Sequence, residues 1–146
     1  MLRYRLIHPE IAASLATAGH GSQVLIADGH YPVSTGAQPR ATRVHLNLEP
    51  GRLTVPEVAA VVLDAVAVEA AAVMTPPPPQ PDPEIFAELT ALLGDVPLRR
   101  LDRFAFYEAA RSPDVALVIA TGEQRTYANL LLTLGVVGAR GGAGSP

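Results

Sequence analysis

The run Val115-Ala-Leu-Val-Ile-Ala120 constrains this chain more than any other stretch. Six apolar residues without the apolar–polar alternation of a half-exposed strand suit a strand covered on both faces. Gln23-Val-Leu-Ile-Ala-Asp28 reads the same way and ends on an acid. A sheet with two covered faces needs helices over it, so these runs point to a layered α/β domain. Helical signals lie between them. Pro9 and Glu10 suit a first turn ahead of Ile11 to Ala18, with Gly19 as the stop. Thr54-Val-Pro-Glu57 matches a capping box for a helix running to about Val66. Asp82 as cap, Pro83 at the first position and Gly94 past the end frame a helix over Glu84 to Leu93, and Phe104 to Arg111 also reads as helix. Glu69 to Met74 and Leu130 to Leu134 are further apolar strands; Arg43-Val-His-Leu46 and Leu98 to Leu101 are short, weaker ones. The expectation is a single three-layer α/β/α domain with a mostly parallel or mixed central sheet.

The chain has 146 residues, 49% hydrophobic and 17% charged, enough for one core and too little for two. Thr75-Pro-Pro-Pro-Pro-Gln-Pro-Asp-Pro83 cannot be helix or central strand, and it reads as a surface connector within one domain of residues 1–137. Residues 138–146 read as a flexible glycine-rich tail. Net charge −3 argues against a nucleic-acid surface, and all 11 basic residues are arginine, which excludes Schiff-base chemistry. Without cysteine there are no disulfides, thiolate nucleophiles or cysteine metal sites. The apolar stretch Val58 to Met74 contains Asp64 and Glu69, which argues against a membrane span. The amino terminus lacks the apolar segment of a signal peptide, so the expected compartment is the cytoplasm.

Polar residues punctuate these elements, and in α/β sheets ligands bind beyond the carboxyl ends of strands. Four groups are expected in that region: Gly19-His-Gly21, Asp28-Gly-His-Tyr-Pro32, Arg103-Phe-Ala-Phe-Tyr-Glu108 and Thr121 to Asn129. His20 at a helix end could donate a proton near neutral pH, although a histidine in a surface turn is the commoner case. Asp28 could hold a hydroxyl or simply cap the following turn. Arg103 could bind a hydroxyl-rich ligand or form a structural ion pair. Tyr127 and Asn129 offer a hydroxyl and an amide, or ordinary turn chemistry. His30 lies two residues from Asp28, but no third ligand has a metal spacing, so no metal is expected. Neither a glycine-rich nucleotide fingerprint nor a Gly-x-Ser-x-Gly elbow occurs, and no cofactor is expected.

Taken in order, His8-Pro-Glu-Ile11, Gly19-His-Gly21, Asp28-Gly-His-Tyr-Pro32, Arg103-Phe-Ala-Phe-Tyr-Glu108, Thr121-Gly-Glu123 and Tyr127-Ala-Asn129 resemble the L-fucose mutarotase / D-ribose pyranase family, across roughly residues 7–137. The resemblance implies an isomerase acting on a free monosaccharide. His20 falls on the family's proton donor, and Asp28, Arg103, Tyr127, Ala128 and Asn129 fall on its sugar-binding positions. The arginine at 103 matches the fucose branch, where the ribose branch uses a histidine; Ala128 is nearer the ribose type. The resemblance also implies a homo-oligomer, a decamer or a smaller assembly, with sites at subunit interfaces. The proline tract at Pro76 to Pro79 and the glycine-rich tail are not part of the resemblance. His30 is the first choice as partner base. The expected activity is mutarotation, most specifically of L-fucose. The alternatives are a D-ribose pyranase and a non-catalytic sugar-binding accessory of an uptake system.

Overall fold

The computed structural model describes residues 1–138, so the expected tail at 138–146 lies almost wholly outside the described residues. Ten elements follow in order: α1 (Pro9–Thr17), β1 (Gln23–Ala27), β2 (Thr42–His45), α2 (Val55–Ala65), β3 (Val68–Met74), α3 (Ile85–Leu93), β4 (Leu98–Leu101), α4 (Arg103–Ala110), β5 (Val115–Ala120) and β6 (Leu130–Leu134). The strands form one mixed sheet in the order β2-β5-β1-β6-β3-β4. β2, β5 and β1 run parallel, β3 and β4 run parallel, and β6 lies antiparallel between β1 and β3. The non-alternating runs β1, β5 and β6 occupy central positions and are buried along nearly their whole length. The weaker β2 and β4 are the two edges, where half-exposed residues cost nothing.

Alternate side chains feed two cores. Val24, Ile26, Leu117, Ile119, Leu130 and Leu132 pack under α1, α2 and α3. Leu25, Ala27, Val118 and Leu131 face the other way, toward Phe106 and Ala110 of α4 and toward Tyr31, Ala37 and Ala41. The second layer is therefore one helix and a loop rather than a full helical layer. That loop is pinned by Arg43, whose guanidinium donates to the carbonyls of Val33 at 2.9 Å, Gln38 at 3.0 Å and Ala41 at 3.2 Å.

Local chemistry explains the helix starts. The capping box of α2 is formed: Glu57 N donates to Thr54 Oγ1 at 3.3 Å and Thr54 N to Glu57 Oε2 at 2.8 Å. His8 caps α1 by accepting from Ile11 N at 3.3 Å, and Asp102 caps α4 by accepting from Ala105 N at 2.9 Å. The expected Asp82 cap does not form. α3 starts at Ile85 with no side-chain cap, because the Asp82 carboxylate is turned to an ion pair with Arg100 of edge strand β4.

One irregularity bears on the site. Val68 of β3 faces Leu134 and Ala70 faces Thr133, so Glu69 is an extra residue bulged out of the β3–β6 ladder.

Candidate active site

β1, β3 and β4 end on the same side of the sheet, and the antiparallel β6 begins there. Their flanking segments enclose a cleft of about 250 Å³ lined by Asp28, His30, Tyr31, Met74, Arg103, Tyr107, Thr126, Tyr127 and Asn129. This volume falls below the roughly 300–1,000 Å³ of drug-sized sites, so it suits a ligand of one ring rather than a nucleotide. A larger cleft of about 340 Å³ between the amino-terminal segment, α1 and α2 is lined chiefly by Leu6, Ile7, Ile11, Leu46, Val58 and Val62. That lining is too apolar to orient a hydroxyl-rich ligand.

Asp28 organises the polar cleft. It is 3% exposed at the end of β1. Its Oδ1 accepts from His30 N at 2.9 Å, and its Oδ2 accepts from Ala128 N at 3.2 Å and Asn129 Nδ2 at 3.1 Å. Asp28 N in turn donates to Asn129 Oδ1 at 2.8 Å. Burial pushes this carboxyl above its ordinary value, while the N–H groups of His30 and Ala128 pull it back. Asp28 and Asn129 thus lock the end of β1 to the start of β6. His30 donates from Nε2 to the carbonyl of Gln124 at 2.8 Å, which leaves Nδ1 as its lone-pair nitrogen when the ring is neutral.

The opposite wall is aromatic and cationic. The Tyr31 hydroxyl donates to Gly36 O at 2.6 Å, and its ring packs edge-on against Phe106 and Tyr107 at 6.1 and 5.4 Å between centroids. Arg103 is in no ion pair among the described residues. Its guanidinium lies 5.5 Å over the Tyr107 ring and 6.0 Å over Phe104, and its Nε donates to Tyr107 Oη at 3.4 Å. That leaves it able to meet a ligand, which answers the ion-pair alternative. Tyr127 holds φ at +59°, in the left-handed region that a bulky residue adopts at a cost of about 1–2 kcal/mol. Below this segment Glu123, 3% exposed, accepts from Arg125 Nε at 3.0 Å and from Val55 N at 3.3 Å, which ties the loop to the start of α2.

Two of the expected site residues stand apart from this cleft within one chain. Ala128 does not line the cleft: its methyl is fully buried under α1–α3 and its N–H is bonded to Asp28, because successive residues entering β6 point to opposite faces. His20 does not join the other groups either. The turn between α1 and β1 lies at the amino end of β1, so the five residues of that strand put roughly 17 Å of backbone between it and Asp28. There Gly21, at φ +83°, donates to Leu134 O at 2.9 Å. The ring of His20 meets Glu69, with Nε2 at 3.1 and 3.0 Å from the two carboxylate oxygens. Within one chain, then, the structure brings together Asp28, His30, Arg103, Tyr127 and Asn129, and leaves His20 at the far end of the sheet.

Reasoning from sequence passed over Tyr31, Met74, Tyr107 and Glu69. The two tyrosines lie inside segments already singled out. Met74 is indistinguishable from any core residue closing an apolar strand, and Glu69 shows only as a lone acid opening one. Among the described residues no three carboxylates or imidazoles converge on one point, and no helix is long and apolar enough to cross a membrane.

Residues 1–137 match the model of the RbsD / FucU transport protein family. The chain is 31% identical over 138 residues to a D-ribose pyranase of Paracidovorax citrulli, covering 93% of this chain and 98% of the relative. It is also 31% identical over 145 residues to a fucose mutarotase of Homo sapiens, covering 90% of each. Its fold is similar to that of Bacillus subtilis RbsD complexed with D-ribose, with a TM-score of 0.77 and 28% identity over 94% of this chain and 99% of the other.

Proposed function

Because this chain belongs to the RbsD / FucU family, whose members are mutarotases and pyranases, we propose that it interconverts the anomers of a free monosaccharide, L-fucose first among them, in the cytoplasm. The observation that carries this reading is the single-ring cleft at the strand ends, lined by a buried Asp28–Asn129 pair together with Arg103 and Tyr127. Such groups hold hydroxyls in place, and alignment itself contributes to rate.

Mutarotation opens a hemiacetal and recloses it on the other face. His20 gives its proton to the ring oxygen as the bond from the anomeric carbon to that oxygen breaks. The anomeric hydroxyl passes its proton to a base, for which His30 Nδ1 is available, and a carbonyl forms. Rotation and the reverse transfers close the ring. Because His20 stands at the other end of its own sheet, it would serve the cleft of a second copy of the chain, which makes a homo-oligomer part of the active site. Arg103 favours the fucose reading. The ribose reading, interconversion of pyranose and furanose, is favoured by Ala128 and by the D-ribose pyranase relative.

Saturation-difference NMR on the anomeric protons of L-fucose and D-ribose in parallel tests this. The expected result is faster α/β exchange of L-fucose than in buffer, lost in a folded His20→Ala variant. Faster exchange of ribose alone would assign the pyranase reaction instead. Binding of either sugar without faster exchange would replace catalysis by an accessory role.

A further inference from the structure

Arg125 lines no part of the cleft, yet the segment around it supplies several of the cleft's polar groups. The Gln124 carbonyl holds His30 Nε2 at 2.8 Å, Thr126 and Tyr127 line the wall, and Asn129 locks Asp28. The guanidinium of Arg125 instead reaches two carboxylates. Its Nε and Nη2 donate to Oε1 and Oε2 of Glu123, both at 3.0 Å, and its Nη1 donates to Glu88 Oε1 of α3 at 2.6 Å. The main-chain N–H of Arg125 adds a bond to Glu123 Oε1 at 3.1 Å. Paired bonds of this kind fix the orientation of both groups as well as their distance. Glu123 is itself anchored: it is buried, its Oε2 accepts from Val55 N of α2, and its carbonyl accepts from Gly29 N at 2.7 Å, just past β1.

Tyr127, two residues on, stands in the left-handed region at φ +59°. A bulky residue keeps such a conformation only where its surroundings over-determine it. On its carboxyl side, Ala128 N and Asn129 Nδ2 are bonded to Asp28. On its amino side, Arg125 is held by the fork to Glu123. Resting on the reading of this cleft as the sugar site, we propose that Arg125 is a positioning residue for it. The fork to Glu123, braced by Glu88, holds residues 124–129 so that the Gln124 carbonyl orients His30 and Tyr127 meets the sugar. Charge alone does not achieve this. A lysine ends in a compact ammonium without a planar fork, so it cannot engage both oxygens of Glu123 while reaching Glu88.

The test combines ¹⁵N NMR of the His30 ring with exchange kinetics on L-fucose and D-ribose, at temperatures where each variant is folded. A carbonyl can only accept, so in the wild type the neutral His30 ring should be mainly the Nε2–H tautomer. Arg125→Ala should give a mixture of tautomers and lower the exchange rate at saturating sugar about 10–100-fold. Arg125→Lys, which keeps the charge, should behave like Arg125→Ala. Glu88→Gln, which leaves the fork to Glu123 in place, should keep the tautomer and lose less activity than Arg125→Ala. A merely structural Arg125 would lower the melting temperature of Arg125→Ala and leave the His30 tautomer of the folded protein as it was, which would overturn the proposal. Wild-type exchange in Arg125→Ala, or full activity in Arg125→Lys, would overturn it as well. If the wild type speeds neither sugar, the proposed function fails, and the His30 tautomer in Arg125→Ala still decides whether Arg125 positions the cleft.

Discussion

Burial pushes the carboxyl of Glu123 up, but the Arg125 guanidinium and the N–H groups of Arg125 and Val55 outweigh it and hold the group below its ordinary value. A depressed carboxyl contributes stability that is complete above the ordinary value near 4.5 and is lost as pH falls through the folded one. Glu123→Gln should therefore cost about 1–3 kcal/mol at pH 7, since it weakens the bonds to Arg125 and Val55. In urea titrations the gap between wild type and variant should narrow as pH drops below 4.5; a gap independent of pH would show that the charge of Glu123 does not matter. Asp28 has the opposite sign. Its carboxyl is raised, so its contribution is present at low pH and is lost as pH rises through the folded value. These residues were legible because each stands where an apolar run stops. Their near partners, Arg125 and His30, are two residues away, but the distant ones, Val55 for Glu123 and Ala128 and Asn129 for Asp28, leave no local trace in the sequence.

Phe104 and Phe106 sit two residues apart on α4, with 77% and 0% of their surface exposed. α4 is the only helix over its face of the sheet among the described residues, and Phe106 anchors it while forming part of the wall behind Tyr31. Phe106→Ala should lower stability by about 3–5 kcal/mol and weaken sugar binding, whereas Phe104→Ala should stay within about 0.5 kcal/mol of wild type. Equal losses in thermal melts would mean that the helix packs by another face. The order and type of all ten elements could be read from the sequence, because unbroken apolar runs and capping residues are local signals. The bulge at Glu69 could not be read. It depends on which residues of β6 stand opposite β3, and pairing across more than sixty residues leaves no local trace. For the same reason the sequence around Asp82 reads as a cap: its competition with Arg100 arises only once β4 is in place.

At the scale of the molecule, the insertion of β6 between β1 and β3 gathers the cleft at one end of the sheet and leaves the His20–Glu69 pair at the other. The order of motifs along the chain does not reveal this, because His20 and Asp28 are eight residues apart in sequence while a whole strand separates them in space. The proposed catalytic unit, with His20 as acid at the cleft of Asp28, therefore calls for two copies. Mixing two inactive variants tests this directly. On the proposed reading His20→Ala lacks the acid and Tyr127→Ala lacks a sugar contact, and each alone should exchange L-fucose or D-ribose no faster than buffer. Co-refolded in equal amounts, they should recover about a quarter of the wild-type exchange rate, since one site in four would draw both intact groups from different chains. A mixture that forms hybrid oligomers yet stays as inactive as its parents would contradict the shared site.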